Sequence, residues 1–243
     1  MKVINIIVLI CLLVNYAYSQ NSTNSIKNFE YDLAPLFENI DLIGVLGNDF
    51  SRIDIRFNES QRISKNHYCI KGASRTRLSI VCLFEGEISI DSIHYTSEKE
   101  EYLHIDGIVF GTYVFTELGK NNNGVFKGNF YHSFILENNI VSKAVNDIVE
   151  LKRNLCEYIG EWESSNHISK QCNWADYIIP GVPNNFYIFN DSGEWIVNTM
   201  YRKNGWENMY NAYYNYQLID KYVCQARKIE EEEWWNNYIN IHK

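Results

Sequence analysis

The chain has 243 residues, of which 46% are hydrophobic, so it can bury a substantial core as one large domain or two small ones. Its 22 basic and 30 acidic side chains give a formal net charge of −8. This acidic balance argues against a nucleic-acid partner and against anionic lipid, because both bind basic surfaces.

The N-terminal segment, residues 1–19, has the three parts of a cleavable secretory signal peptide. Lys2 supplies a positive charge, residues 6–14 form an unbroken apolar run, and Ala17 and Ser19 are the small residues that precede a cleavage site. A membrane-spanning helix needs about 20 apolar residues, which this run does not reach. We therefore predict cleavage near Ser19, a secreted or periplasmic location, and no membrane span.

Residues 20–138 carry the periodicity of β-strands. Residues 52–57 alternate strictly between polar and apolar side chains, which is typical of a half-buried strand. Further short segments follow at a spacing of about 8–12 residues, with turn residues between them. This spacing predicts an antiparallel sandwich or a barrel-like meander rather than βαβ units.

The period changes over residues 139–156. Apolar side chains recur at helical spacing from Ile140 to Leu155, and charged or polar side chains fill the opposite face. Neither proline nor glycine interrupts the pattern. We therefore predict a linking helix over residues 139–156.

The remaining segment, residues 157–243, contains all six tryptophans. Residues 185–190 and 194–201 predict two strands around an Asp-Ser-Gly turn, and residues 205–227 predict a helix. This segment is expected to form a smaller, Cys/Trp-rich α+β region. The predicted fold class is therefore α+β and β-rich.

Five cysteines follow the signal peptide: Cys69, Cys82, Cys156, Cys172 and Cys224. An exported protein meets an oxidising compartment, so disulfides are expected, with one thiol left free by the odd count. A hairpin that turns at residues 75 and 76 would place Cys69 opposite Cys82, within reach of a disulfide. The pairs Cys156–Cys172 and Cys172–Cys224 are the alternatives for the rest.

Three N-x-S/T sequons begin at Asn21, Asn58 and Asn190. They matter only in a host that glycosylates exported proteins. The chain contains 30 asparagines, so chance matches to this short motif are expected.

Two carboxylates lie in repeated Gly-Glu-Trp segments, at Glu161 and Glu194. A pair of carboxylates beside indole rings could serve a glycosidase, in which one acid protonates the leaving group and tryptophan stacks on the sugar. An amphipathic strand gives the same sequence when tryptophan points inward and glutamate outward. The sequence favours this second interpretation.

Two further sets of residues could carry chemistry. Cys156 or Cys172 with His167 could form a thiol nucleophile and its base, but an exported thiol is more often oxidised. His94 and the pair His104 and Asp106 could hold a metal ion, although scattered histidines are usually surface residues. We predict no metal site and no cofactor.

The stretch from Cys172 to Pro183 is the most distinctive irregular segment. Its Trp174, Asp176 and Tyr177 lie in a loop bounded by prolines, which could form a recognition surface. The alternative is a loop that caps an aromatic core. We predict a ligand-binding site at Trp174, Asp176, Tyr177 and Trp195.

Three features of the chain resemble a broad group of uncharacterised exported bacterial β-meander proteins. They are the run Leu-Ile-Gly-Val-Leu-Gly at residues 42–47, the glycine–aromatic strands at residues 111–113 and 124–130, and the G-x-W segment at residues 160–162. The resemblance covers about half of the chain. It implies a meander of paired strands and brings no established activity.

These features favour an exported, non-catalytic binding or interaction protein whose partner is a protein, a small molecule or a carbohydrate. The excess of aromatic residues supports binding, and the chain has no recognisable catalytic motif. One alternative is an exported hydrolase that acts on carbohydrate or peptide. Another is a structural envelope protein.

Overall fold

A computed structural model describes residues 29–76, 80–96, 99–100, 103–119, 124–144, 153–189 and 194–236. The predicted signal peptide and the sequons at Asn21 and Asn190 lie outside these ranges. Export and cleavage therefore stay predictions, and the expectation that the sequons are chance matches is untested.

Thirteen strands lie within the described ranges: β1 (Ile40–Leu46), β2 (Ser51–Arg62), β3 (His67–Thr76), β4 (Ile80–Tyr95), β5 (Lys99–Glu100), β6 (Leu103–His104), β7 (Gly107–Glu117), β8 (Gly124–Glu137), β9 (Ile140–Lys143), β10 (Cys156–Ser164), β11 (Ser169–Ala175), β12 (Tyr187–Phe189) and β13 (Trp195–Val197). A 3₁₀ helix covers Ala34–Phe37. The α-helices of the same ranges are α1 (Thr199–Arg202), α2 (Glu207–Tyr213) and α3 (Asp220–Glu230). None of them is long and apolar enough to cross a membrane.

Eight strands form a closed antiparallel barrel in the order β1-β2-β3-β4-β7-β8-β10-β11. The barrel closes because β11 pairs with β1, so that Trp174 faces Gly44 and Cys172 faces Leu46. Closure leaves no unpaired edge among these eight strands. The structure thus confirms a β-rich fold with a barrel-like meander and a small helical region.

Strict alternation along the strands fills the barrel interior. On β7 every second residue from Gly107 to Glu117 is buried. The largest interior side chains are aromatic and fully buried, and they include Phe57, Phe84, Tyr113, Phe115, Tyr158 and Trp174. Gly160 on β10 makes room for this packing, because a Cβ atom there would overlap the hydroxyl of Tyr113 and the backbone of β8.

The 3₁₀ helix closes the barrel at the end where β1 begins. Its Leu36 and Phe37 are fully buried. The Phe37 ring packs against Tyr68 in a tilted arrangement, with ring centroids 5.7 Å apart, and edge to face against His132, with ring centroids 5.9 Å apart. The hydroxyl of Tyr68 accepts a hydrogen bond of 3.1 Å from the Leu33 amide. The N-terminal segment before β1 is therefore part of the barrel core.

The linking helix predicted over residues 139–156 is replaced at both described ends by strands. Ile140–Lys143 forms β9, which pairs with the end of β8, and Cys156 begins β10. Asn138 and Asn139 have φ angles of 52° and 66°, which is the geometry of a two-residue hairpin turn that asparagine tolerates. Residues 145–152 lie outside the described ranges.

The barrel also differs from the predicted division at residue 138. Its last two strands, β10 and β11, come from the segment that the sequence assigns to the second region. The pairing of β11 with β1 joins strands more than a hundred residues apart in the chain. Local periodicity carries no signal of such a long-range contact.

The predicted Cys69–Cys82 disulfide is wrong. In the observed register of β3 and β4, Cys69 faces Glu87 and Cys82 faces Ser74. The pairing is shifted by an odd number of residues from the predicted one, so the two cysteines lie on opposite faces of the barrel wall.

The alternative disulfides are absent too, since all five cysteines lie in described ranges and each is a free thiol. Cys172 faces Gly160 on β10, four positions from Cys156, which is about 13 Å along a strand. A disulfide needs Cα atoms within about 7 Å. Cys172 points into the barrel, whereas Cys224 is exposed on α3.

The segment after β11 packs on the outer face of β1. Strands β12 and β13 form the predicted hairpin, although each is only three residues long. The single helix predicted over residues 205–227 is divided into α2 and α3. A second core joins this segment to the barrel through buried Val45, Phe186 and Trp206, and the Trp206 indole N–H donates to the backbone oxygen of Phe50 at 2.9 Å.

A buried ionic network attaches α3 to the outer face of β2 and β3. The Asp54 carboxylate accepts from Arg52 Nε at 2.7 Å and from Arg75 Nε at 2.9 Å. Arg52 also contacts both carboxylate oxygens of Glu230, at 2.9 and 2.8 Å. These four side chains are between 3% and 7% exposed, so each buried charge has a counter-charge beside it.

Two adjacent tryptophans extend this attachment beyond α3. The guanidinium of Arg75 lies 4.9 Å from the Trp234 ring centroid, and that of Arg56 lies 4.5 Å from the Trp235 ring. Both distances are within the range of a cation–π contact. The C-terminal tryptophans therefore cover the arginines of β2 and β3.

We expect Asp54→Asn to lower the free energy of unfolding by about 3–5 kcal/mol, because it leaves buried arginines without their counter-charge. Chemical denaturation measures this loss. The matched control is Glu59→Gln, since the Glu59–Lys71 pair is 3.6 Å apart and more than half exposed. The control should cost about 1 kcal/mol or less, and an equally small effect of Asp54→Asn would contradict the role of the network.

We expect His132 to make the protein less stable in acid. The side chain is 3% exposed, and burial lowers its pKa from 6.5 to about 4. The stability that its neutral form contributes is complete above pH 6.5 and is lost as the pH falls toward 4. At 1.36 kcal/mol per pKa unit, this loss is about 3 kcal/mol.

Unfolding free energies of wild type and His132→Gln between pH 7 and pH 4 measure this contribution. The variant should lose stability less steeply than wild type as the pH falls. His104→Gln is the control, because the His104 side chain is 44% exposed. If both variants follow the wild-type slope, His132 is not the group responsible.

Candidate ligand cavity at the barrel mouth

A cavity of about 410 Å³ lies at the barrel end opposite the 3₁₀ helix, where β1 ends and β2 begins. Its apolar wall includes Leu46, Ile53, Phe126 and Trp162. Its polar lining includes Glu117, Cys82 and Lys170. The cavity therefore combines an apolar wall with a few polar groups, as small-molecule sites usually do.

Glu117 places a carboxylate in this cavity. It is the last residue of β7 and shares the inward parity of Tyr113 and Phe115. The residue is only 6% exposed. Its position follows from strand alternation alone, since the inward face of β7 ends on an acidic residue.

Three neutral groups donate hydrogen bonds to the Glu117 carboxylate. The Ser74 hydroxyl donates to Oε1 at 3.1 Å, and the Gly124 amide and the Trp162 indole N–H donate to Oε2 at 3.0 and 2.9 Å. Gly124 allows this arrangement because a Cβ atom there would overlap the indole of Trp162. The carboxylate and the indole are therefore fixed against each other.

The electrostatic environment of Glu117 is dominated by burial. Burial raises the pKa of this carboxyl group, and the hydrogen bonds from Trp162, Ser74 and Gly124 oppose that rise. Within the described ranges no lysine, arginine or histidine forms an ion pair with it. Lys170 is at the mouth, with its Nζ atom 5.7 Å from the centroid of the Trp162 ring.

The thiol of Cys82 lies beside this carboxylate. Burial and then the charge of Glu117 raise its pKa to about 11, so the thiol stays protonated at neutral pH. A protonated thiol is a weak hydrogen-bond donor and a poor nucleophile.

The cysteines considered as nucleophiles are not brought together with His167. Cys156 and Cys172 are buried, and burial raises both of their pKa values. His167 is 88% exposed at the turn between β10 and β11, where its Nδ1 atom lies 2.8 Å from Glu163. The thiols therefore have neither the ionisation nor the base that nucleophilic catalysis needs.

Six buried side-chain polar atoms of the described residues have no hydrogen-bond partner in the protein, and three of them lie close together in the barrel interior. They are the hydroxyls of Tyr113 and Tyr158 and the indole nitrogen of Trp174. The ring centroids of these residues are 5.2–5.6 Å apart. Burying such groups unpaired costs free energy, which the aromatic packing around them offsets.

The four residues of the predicted binding site do not form one site. Trp174 is fully buried inside the barrel, whereas Tyr177 and Trp195 are 42% and 37% exposed on the outside. The Asp176 carboxylate accepts hydrogen bonds from the amides of Leu155 and Cys156, at 3.0–3.3 Å. Asp176 thus holds the start of β10 in place.

The exposed members of that set, Tyr177 and Trp195, lie on the outer segment together with other exposed aromatic side chains. We define this aromatic surface as Tyr177, Phe189, Trp195 and Tyr216. Phe189 and Trp195 pack edge to face at 5.2 Å, and the Tyr216 hydroxyl lies 3.5 Å from Glu194. Burial raises the pKa of Tyr214, and the nearby Glu194 and Tyr177 raise it further.

The two carboxylates considered for a hydrolase, Glu161 and Glu194, lie outside the cavity. Glu161 is on the outer face of β10, where it contacts Ser169 and lies 3.1 Å from Lys127. These two contacts lower its pKa, which is the opposite of what a general acid needs. Glu194 directly precedes β13 in the outer segment, where it lies beside the Tyr216 hydroxyl.

The histidines considered for a metal site are also apart from the cavity. His104 contacts Asp106 at 2.8 Å, and His94 packs against the Phe110 ring at 5.4 Å. Among the residues that the structure describes, no group of three or more His, Cys, Asp or Glu side chains could hold a metal ion.

No protein-family model, curated protein or solved structure matches the chain. Sequence reasoning missed Glu117, although the alternation of β7 carried a signal for it: the residues that share the parity of Tyr113 and Phe115 end on a carboxylate.

We expect Trp162→Phe to lower the free energy of unfolding by about 1.5–3 kcal/mol, because it removes a donor to a buried carboxylate. Denaturant titration at neutral pH measures this loss. The control is Trp195→Phe on the aromatic surface, which should change stability by about 0.5 kcal/mol or less. Equal effects of the two substitutions would show that the Trp162–Glu117 hydrogen bond contributes little.

Proposed function

We propose that the protein is an exported, non-catalytic binding protein that holds a small, largely apolar molecule in the cavity at the barrel mouth. The observation that carries this proposal is a cavity of about 410 Å³ with an apolar wall and a buried carboxylate. Cavities that bind small molecules usually measure about 300–1,000 Å³ and have this mixture of surfaces.

The chemistry of the lining supports binding rather than turnover. The Cys82 thiol is protonated at neutral pH because its pKa is about 11. The Glu117 carboxylate is held by donors from Ser74, Gly124 and Trp162. Groups fixed in this way orient a ligand, whereas a general base must be free to take a proton.

A small fluorescent apolar dye, N-phenyl-1-naphthylamine, tests this proposal. We expect its emission to rise saturably with one site per chain. Thr76 lines the cavity, so Thr76→Trp should fill part of it and weaken binding by roughly tenfold or more, which is about 1.4 kcal/mol.

Thr112→Trp is the matched control, because Thr112 is exposed on the outer face of β7. This variant should bind the dye as wild type does. Circular dichroism and denaturant unfolding verify that both variants are folded. Equal dye affinity in folded Thr76→Trp and wild type would exclude the cavity as the binding site.

A second candidate function is recognition of a partner protein through the aromatic surface. It is favoured by the exposure of Phe189 and Tyr216, at 54% and 76%, next to Trp195. Aromatic side chains of this kind are enriched in protein interfaces. Self-association measured by sedimentation over a wide concentration range, in wild type and Trp195→Ser, tests the simplest partner, a second copy of the chain.

A further inference from the structure

Glu117 differs from the other buried acids of the described ranges in its partners. Asp54 and Glu230 each contact arginine. Glu117 has only neutral donors and lines a cavity. A buried carboxylate therefore faces a space that a ligand can enter.

We propose that the ligand of this cavity is a small organic cation, a protonated amine on an apolar body, and that Glu117 is the carboxylate that binds the ammonium group. This inference rests on the proposed function of the cavity. It adds the chemical class of the ligand and the residue that selects it.

The first argument is the cost of burying an uncompensated charge. Neutral donors satisfy the lone pairs of a carboxylate but do not cancel its charge, and an ionised group without a counter-charge is expensive to bury. Burial already raises the pKa of Glu117 in the direction that this cost predicts. An ammonium group in the cavity supplies the missing positive charge and makes the ionised form favourable.

The second argument is the number of acceptor positions. An ionised carboxylate offers about four lone-pair positions, and Ser74, Gly124 and Trp162 occupy three of them. The Cys82 thiol is the remaining donor beside it, and a thiol is a weak one. An ammonium N–H makes a shorter, charge-assisted hydrogen bond and would replace the thiol.

The third argument is the aromatic wall. Phe126 and Trp162 line the cavity next to the carboxylate, and aromatic faces attract cations. The chain's own Lys170 ammonium lies 5.7 Å from the Trp162 ring centroid at the mouth, so the outer part of the indole already accommodates a cation. Lys170 is exposed, and solvent screens its repulsion of a second cation.

The titratable groups that face Glu117 set the expected pH dependence. They are the Cys82 thiol beside it, the Cys172 thiol deeper in the barrel, and Lys170 at the mouth. Burial raises the pKa of Cys172, and the charge of Glu117 raises it further. Both thiols stay neutral near neutral pH, because their pKa values are raised. Amine affinity should therefore rise with pH as Glu117 ionises, with no competing titration of these thiols.

Competition against the bound dye tests the inference with three ligands on one phenylpropyl body: 3-phenylpropylamine, 3-phenylpropan-1-ol and 3-phenylpropanoate. We expect the amine to displace the dye at a roughly tenfold lower concentration than the alcohol, and the carboxylate to compete least. Glu117→Gln should reduce the amine to the level of the alcohol. Glu87→Gln, an exposed glutamate on the outer face of β4, should keep the preference.

A carboxyl ¹³C NMR titration of wild type supplies a second measurement that does not depend on a variant folding. Saturating amine should lower the pKa of Glu117, whereas saturating alcohol should not. Equal competition by amine and alcohol, or stronger competition by the carboxylate, would overturn the amine assignment while leaving the cavity as a binding site. Failure of the dye itself to bind in the cavity would instead count against the proposed function.

Discussion

The structure depends on the pairing of β11 with β1. This ladder joins Cys172 and Trp174 to Leu46 and Gly44, and it converts a meander of hairpins into a closed wall. Closure gives every strand one inward and one outward face, so a single alternation of side chains decides which residues share the interior. Without it, β1 and β11 would have free edges, and the carboxylate at the end of β7 would lie on an open sheet rather than in a cavity.

The same alternation separates two ways of burying charge. On the outer face of β2, Asp54 and its arginines are covered by α3 and the C-terminal tryptophans, and each charge has a partner of opposite sign. On the inner face, Glu117 is covered by the barrel itself and has only neutral donors. The buried ions on the outer face are therefore paired, whereas the carboxylate inside the barrel has no counter-charge and faces the cavity. That contrast is the physical basis for assigning the cavity a charged ligand.

Much of the fold could be predicted because it is written in local patterns. The alternation of residues 52–57 and the short spacing of the strands indicated a barrel-like meander, and the structure confirms that class. The predictions that were wrong concern hairpin register, turn position and long-range strand pairing, which local patterns do not determine. A five-residue error in the register of one hairpin placed Cys69 and Cys82 on opposite faces of the barrel wall. The apparent helix after residue 139 begins instead with a hairpin, because Asn138 and Asn139 adopt positive φ angles. Long-range closure places Trp174 inside the barrel, whereas the sequence predicts that it lies in a loop.

The Gly-Glu-Trp segment of β10 shows how the candidate site could be only half predicted. Glu161, the candidate acid, lies on the outer face of the barrel and contacts Lys127 and Ser169. The adjacent Trp162 lines the cavity and donates a hydrogen bond to Glu117. The expectation that tryptophan faces inward and glutamate outward was available from strand periodicity. The partner of Trp162 was not, because Glu117 lies 45 residues earlier in the chain and only the register of β7, β8 and β10 brings the two together. The candidate site therefore contains an acid and an indole that are unremarkable in sequence and that come together only once the barrel closes.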